Sequence, residues 1–114
     1  MDNVKNDSYY LNKMVADLEF MIEHTKGKTS DEIEANPLLM DSIMFRLVQI
    51  AENMTHISKE YKDSHNNIRW GQISGFRKGI VHDYGRTDYS IVYEIISKDI
   101  YKLKEDLCID LITN

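Results

Sequence analysis

The chain has 114 residues, 42% hydrophobic and 29% charged, a balance typical of a single globular domain over residues 1–114 rather than of a disordered chain. Nineteen acidic residues against fourteen basic ones give a formal net charge of −5, which excludes a nucleic-acid binder that works through bulk positive charge but not a local basic site. The single Cys108 excludes a disulfide framework and a thiolate metal cluster.

Apolar residues recur at steps of three and four between residues 10 and 22 and predict the first helix. Asp7 or Ser8 is the expected N-cap, and Gly27 suits the left-handed turn that ends a helix. The polar residues between the apolar positions, Asp17 among them, are expected to face solvent.

A short helix and then the longest apolar stripe of the chain follow. Ser30 is the expected cap of a helix of one or two turns, and Asn36-Pro37 is typical of an N-cap followed by the first helical position. The stripe predicts a second principal helix that runs to about Ser58. Residues 59–68 are polar and predict a connection with room for a helical turn.

A third principal helix is predicted to start near Arg69, and a fourth to follow a break at residues 85–88, with Thr87 or Asp88 as its cap. No window alternates with the period of a strand. We therefore expect an all-α fold, an antiparallel bundle of four principal helices with short helical turns. The third helix carries five apolar residues, Trp70, Ile73, Phe76, Ile80 and Val81.

Three glycines, Gly71, Gly75 and Gly79, are spaced four residues apart, so a helix would stack them on one face. A glycine inside a helix costs about 1 kcal/mol relative to alanine. Three on one face therefore indicate a close approach of another helix, within the chain or across a dimer. The alternative is that Gly71 and Gly79 mark the frayed ends of the helix.

We expect a cytoplasmic protein without a membrane contact. The first eight residues are polar and lack the apolar stretch of a signal peptide, and no apolar run approaches the roughly 18 residues that cross a bilayer. No two of the four histidines have a metal-ligand spacing, and neither a phosphate-binding P-loop nor a nucleophile elbow is present. We therefore expect no metal and no other cofactor.

The segment 75–86 concentrates positive charge in an acidic chain. It carries Arg77, Lys78 and Arg86 together with the imidazole of His82 and the phenol of Tyr84. One interpretation is structural, because cationic side chains stabilise the C-terminus of a helix. The other is phosphodiester chemistry, for which RNA supplies its own nucleophile in the 2′-hydroxyl group.

In that chemistry His82 would take the proton of the 2′-hydroxyl and Arg77 would stabilise the charge that grows on the phosphoryl oxygens. Tyr84 would hold the substrate or stack on a base. Residues five apart on a regular helix lie about 140° apart around its axis. Either the helix opens after Gly79, or the arginine reaches around it, or both residues lie at the rim of a cleft shared with a second subunit.

The same segment resembles the HepT-like branch of the HEPN superfamily, whose hallmark Arg-x-x-x-x-His-x-Tyr is present as Arg77, His82 and Tyr84. Residues 68–77 resemble the tryptophan-led entry to that motif. Residues 50–53, with an alanine in place of a glycine, and residues 87–93 resemble further segments of the family. The resemblance extends from the first helix to about Leu107.

The resemblance implies a metal-independent RNA endonuclease that forms a homodimer with a composite cleft. It also implies the toxin component of a type VII-like toxin–antitoxin system, whose partner is a small nucleotidyltransferase antitoxin that transfers AMP onto Tyr84. Arg77 and His82 are then the catalytic residues. Tyr84 and the neighbouring cations of the segment, Lys78 and Arg86, are expected to bind the RNA substrate.

Lys78 departs from the family pattern, in which the residue after the arginine is usually small and polar. A lysine there either adds affinity for phosphate or displaces a polar contact of the active site. Two further interpretations therefore stand beside the ribonuclease. One is a catalytically silent binding module that docks a nucleotidyltransferase or binds a nucleotide, and the other is a purely structural helical dimer.

Overall fold

The computed structural model describes residues 6–77 and 89–113, with side chains as far as Cys108. These residues contain no strand, which confirms the all-α prediction. They form seven α-helices, a 3-10 turn and a π-helical segment: α1 (Asp7–Thr25), α2 (Ser30–Glu34), α3 (Pro37–Met54), α4 (Lys59–Ser64), α5 (Trp70–Ser74), the 3-10 turn (Gly75–Arg77), α6 (Tyr89–Glu94), the π segment (Ile95–Asp99) and α7 (Ile100–Thr113).

The core is built around α1 and α3, which lie antiparallel to each other. Asp7 near the start of α1 binds Ser58 beyond the end of α3, and Asp17 pairs with Arg46 halfway along both helices. The C-terminal helical run packs against α1, and α5 with the 3-10 turn packs against α3. The buried apolar side chains come from the predicted stripes and include Leu11, Met14, Leu18, Met21, Ile43, Leu47, Ile50, Ile73, Phe76, Val92, Ile96, Ile100 and Leu107.

The N-cap of α1 is Asn6, so the expectation of Asp7 or Ser8 at this position was wrong. The Asn6 side chain accepts a hydrogen bond from the Tyr9 backbone N–H at 3.1 Å. The Asp7 carboxylate instead accepts two hydrogen bonds from Ser58, one from its backbone N–H at 2.8 Å and one from its hydroxyl at 2.7 Å. At the other end of α1, Gly27 has φ 76°, which confirms the predicted left-handed turn.

Thr29, and not Ser30, caps α2. Its hydroxyl accepts from the Glu32 backbone N–H at 3.1 Å, and the Glu32 carboxylate accepts from the Thr29 backbone N–H at 2.8 Å, which is a complete capping box. The hydrogen bond from the Thr29 backbone lowers the pKa of Glu32. Ser30 instead donates its hydroxyl to the phenol oxygen of Tyr89. The predicted Asn36-Pro37 start of the next helix is confirmed, since Asn36 is the N-cap of α3 and Pro37 its first residue.

The second principal helix ends at Met54, four residues before the predicted end at Ser58. The reason is that Ser58 is the N-cap of α4 and has extended backbone dihedrals, so it cannot belong to the end of α3. Ile57 is nevertheless buried, because a tight turn carries it back onto the core. The predicted polar connection therefore contains a helix of six residues.

The third principal helix is described only for its first part, and that part is short. Five α-helical residues are followed directly by the 3-10 turn, while Ile80 and Val81 lie outside the described residues. A Cβ atom added to Gly71 or Gly75 would meet no atom within 4 Å, so the predicted close approach of a helix within the chain is wrong for the described residues. Gly79 lies outside them, and an approach across a dimer stays a prediction.

Asp17 is buried, contrary to the expectation that it faces solvent. Its carboxylate accepts a hydrogen bond from the Arg46 guanidinium at 2.7 Å, and the guanidinium also lies 3.9 Å from the centroid of the Phe20 ring. Because the partner is on α3, the local pattern of α1 does not reveal that Asp17 belongs to the helix interface.

Replacing Arg46 by alanine is expected to lower the free energy of unfolding by about 1–3 kcal/mol, because it leaves the buried Asp17 carboxylate without its partner. Urea unfolding followed by circular dichroism measures this change. Lys59→Ala is the control: it removes an ion pair with Asp63 in which both side chains are exposed, and water screens such pairs strongly. Equal destabilisation by both substitutions would contradict the assignment of Arg46 as a structural partner of Asp17.

Candidate active site

Arg77 ends the 3-10 turn, and its side chain is exposed. The preceding residue, Phe76, is 1% exposed and packs into the core, so it fixes the backbone from which Arg77 projects. None of the described carboxylates forms an ion pair with Arg77, whereas Lys26, Lys59 and Lys102 each pair with at least one. Among the described residues the guanidinium thus has no anionic partner, and its planar set of donors matches a phosphate group.

The backbone that leads into Arg77 is held in place by the Trp70 indole and by buried core residues. The Trp70 indole N–H donates to the His65 carbonyl at 3.2 Å, and its backbone N–H donates to the Ile68 carbonyl at 3.0 Å. Ile68 and Ile73 are both buried. These contacts replace a side-chain cap, which α5 lacks.

The chain after the motif is held at Tyr89. Its phenol donates to the Ser30 carbonyl at 2.6 Å, and its ring packs against that of Tyr93 at 5.9 Å between centroids. The described chain thus stops at Arg77, in a turn that packs against α3, and resumes at Tyr89, which binds α2. Both anchors are contacts between residues far apart in sequence.

Four of the five predicted site residues, Lys78, His82, Tyr84 and Arg86, lie outside the described residues. The structure therefore places Arg77, and the roles assigned to the other four remain predictions. Thr87 and Asp88, the predicted caps of the fourth helix, lie outside the described residues as well, and the helical run is described from Tyr89.

A groove of about 300 Å³ lies beside the 3-10 turn, between α5 and the C-terminal helical run. Phe76 and Ile95 line it together with two acidic residues, Glu94 and Asp99. Burial, with a smaller effect of the neighbouring Glu94 charge, raises the pKa of Asp99. The full set of lining residues is Gln72, Gly75, Phe76, Ile91, Glu94, Ile95 and Asp99.

The π segment explains why both carboxylates reach this groove. Hydrogen bonds from residue i to i+5 bring residues five apart, such as Glu94 and Asp99, toward the same side of the helix, where a regular α-helix would separate them. Sequence analysis missed these two residues, because it assigned the whole fourth helix a regular period. The available signal was weak: two isoleucines, Ile95 and Ile100, are also five residues apart.

Within residues 6–77 and 89–113 no group of three or more histidine, cysteine, aspartate or glutamate side chains is arranged as metal ligands. Over the same residues no helix combines the length and the apolar character needed to cross a membrane. Cys108 is a partly buried free thiol.

Comparison with known proteins identifies relatives along almost the whole chain. The family model described as "Ribonuclease HepT-like" matches residues 14–108. A protein of Caldanaerobacter subterraneus subsp. tengcongensis, named a "putative RNase", is 29% identical over 104 residues, which are 91% of this chain and 93% of that protein. A "probable ribonuclease HepT" of Thermococcus cleftensis is 22% identical over 95 residues, 83% of this chain and 86% of that protein.

A third relative is longer than this chain. The "Gamma-glutamylcyclotransferase and putative RNase" of Methanocaldococcus jannaschii is 30% identical over 103 residues, and the match covers 90% of this chain but only 46% of that protein. No solved structure matches the chain.

Proposed function

The chain belongs to the HepT-like ribonuclease family, and we propose that it is a metal-independent endoribonuclease that acts as the toxin of a toxin–antitoxin pair. Arg77 and His82 carry the reaction in this proposal. The names of three relatives as putative or probable ribonucleases support the activity at the level of the family. The Arg-x-x-x-x-His-x-Tyr motif supports the choice of residues.

The proposed reaction uses the 2′-hydroxyl of RNA as the nucleophile. His82 takes the proton of this hydroxyl, and the oxygen attacks the adjacent phosphorus. The bond from phosphorus to the 5′-oxygen of the next nucleotide breaks, and that oxygen receives the proton that His82 had taken. The products are a 2′,3′-cyclic phosphate and a 5′-hydroxyl, and Arg77 stabilises the negative charge on the phosphoryl oxygens during the displacement.

The observation that carries this proposal is the state of Arg77. Arg77 is exposed on a backbone anchored by buried Phe76 and forms no ion pair with any described carboxylate, which supports a role in binding an anion. A cation placed beside the phosphoryl oxygens stabilises the charge that develops on them.

RNA cleavage by the purified chain is expected to continue in excess chelator and to leave 2′,3′-cyclic phosphate ends. The physical reason is that RNA supplies the nucleophile and Arg77 supplies the charge that a metal would otherwise provide. Incubation with bulk RNA and EDTA, followed by analysis of the fragment ends, measures both properties. Loss of cleavage in EDTA that magnesium restores would contradict the mechanism.

We further propose that the chain forms a homodimer in which two motifs share one cleft. Ile91 supports an interface beside the 3-10 turn that ends at Arg77, because it is 43% exposed and lies on the groove next to this turn. The proposed regulatory partner is a small nucleotidyltransferase antitoxin that modifies Tyr84. Both partners follow from the family resemblance.

A binding module without catalysis is the second candidate, and Lys78 is the residue that favours it. In that case the chain docks a nucleotidyltransferase or binds a nucleotide and leaves RNA intact. The cleavage assay in EDTA and in magnesium separates the two candidates, because a silent module cleaves in neither condition.

A further inference from the structure

A line of exposed or half-buried residues leads from Trp70 through Ser74 to Arg77 along one edge of α5 and the 3-10 turn. Four α-helical steps and three 3-10 steps place Trp70 and Arg77 about 40° apart around the helix axis and about 12 Å apart along it. Gly71 on the same side is exposed, and an added Cβ atom there would meet nothing within 4 Å. Among the described residues, nothing packs over this edge at Gly71.

At the far end of this edge, Trp70 belongs to an aromatic cluster that fixes its orientation. Its indole N–H is bound to the His65 carbonyl, and Tyr61 meets its ring at 6.0 Å and 75°, in an edge-on arrangement. Tyr61 in turn stacks on the His65 ring at 3.9 Å. Trp70 itself is only half-buried, so part of a rigidly held indole faces solvent.

Positive charge accompanies the aromatic cluster. The Lys62 ammonium lies 6.0 Å from the centre of the Trp70 ring, at the outer limit of a cation–π contact, and none of the described carboxylates pairs with it. Residues 62–77 contain three cations, Lys62, Arg69 and Arg77, and one acidic residue, Asp63, which pairs with Lys59. This stretch is therefore basic in a chain whose net charge is −5.

We propose that this edge is a path for single-stranded RNA, on which a nucleobase stacks on Trp70 and Lys62 binds an adjacent phosphate. The strand then passes Gly71 and Ser74 and presents its scissile phosphate to Arg77. Aromatic side chains next to cations are the usual means by which proteins hold single strands without reading their sequence. This inference rests on the proposed ribonuclease function, and it adds a second contact point at some distance from the cleaved bond.

Trp70 is the one tryptophan of the chain, so its fluorescence reports directly on this subsite. The probe is a short 2′-O-methylated oligonucleotide, which cannot be cleaved because its 2′-oxygen carries no proton. Adding it to the full chain is expected to quench Trp70 fluorescence in a saturable way. Lys62→Ala is expected to weaken binding and to reduce the slope of log affinity against log salt by about 0.7, the value for one phosphate contact on a single strand.

Lys59→Ala is the matched control, since it removes an exposed lysine three residues away on the same helix, and it is expected to bind like the unmodified chain. Trp70→Leu, tested with a fluorescently labelled oligonucleotide, is expected to bind about 5- to 100-fold more weakly. Circular dichroism verifies its fold, and Lys62→Ala supplies an independent test if that variant unfolds.

The absence of quenching, or equal affinities of Lys62→Ala and Lys59→Ala, would overturn the proposal. Equal quenching by polyglutamate would overturn it too, because this acidic polymer carries charge but no bases. The probe cannot be cleaved, so these outcomes are independent of catalysis. Failure of the proposed ribonuclease function is recognised separately, by intact bulk RNA in the cleavage assay.

Discussion

Arg77→Ala and His82→Ala are each expected to lower the rate of RNA cleavage by about two to four orders of magnitude. This is the usual effect of removing one acid–base group or one preorganised charge from an active site. Initial rates on bulk RNA, measured for each purified variant in EDTA, give the size of the loss. Lys59→Ala, an exposed lysine on α4, is expected to retain the rate of the unmodified chain.

The stability of Arg77→Ala distinguishes a catalytic role of Arg77 from a structural one. Its side chain is exposed, and the buried contacts at this position belong to Phe76, so Arg77→Ala is expected to keep the helical circular dichroism spectrum and the unfolding midpoint. A variant that unfolds at a clearly lower denaturant concentration would instead show that Arg77 complements the helix end. Undiminished cleavage by either variant would remove that residue from the mechanism.

Modification of Tyr84 is expected to abolish cleavage almost completely. In the proposed reaction the phenol oxygen attacks the α-phosphorus of ATP. The bond between the α-phosphorus and the oxygen that links it to the β-phosphorus breaks, and pyrophosphate leaves. The phenol proton passes to a base. Each AMP adds a phosphodiester with one negative charge and the bulk of a nucleoside. Arg77, Lys78 and Arg86 would then hold this phosphate in place of the RNA substrate.

Intact-mass spectrometry after incubation with the partner nucleotidyltransferase and ATP measures this modification. Additions of AMP are expected on the unmodified chain and absent from Tyr84→Phe. Tyr101→Phe is the matched control, since Tyr101 is 43% exposed and lies outside the motif, and it is expected to be labelled normally. Equal labelling of Tyr84→Phe would assign the acceptor to another of the seven tyrosines and would contradict this form of inhibition.

Local signals in the sequence predicted the helical architecture correctly. The apolar period of α1 and α3, the left-handed Gly27 and the start of α3 at Asn36-Pro37 are all confirmed. Each depends on residues within one or two turns of each other, where backbone sterics and the period of the helix dominate. The Arg-x-x-x-x-His-x-Tyr motif is recognisable for the same reason, because its residues are close together in the chain.

Where the local pattern predicted a cap, a helix end or an exposed residue wrongly, the cause is a contact between residues that are distant in sequence. Asp7 does not cap α1 because it binds Ser58, which is 51 residues away. Ser58 is the N-cap of α4, and α3 therefore does not extend as far as Ser58. Asp17 is buried because Arg46 on α3 provides its partner. In both cases an aspartate of α1 forms its hydrogen bond with a residue outside its own helix.

The surroundings of the site likewise belong to the tertiary structure. The sequence by itself determined that the chain is helical, and it singled out the candidate site residues, Arg77 among them. Only packing decided that Phe76 turns inward and Arg77 outward, that Trp70 is held by His65, and that a π segment turns Glu94 and Asp99 toward one groove. The physical reason is that burial, and with it the direction of each side chain, depends on neighbours that are distant in sequence.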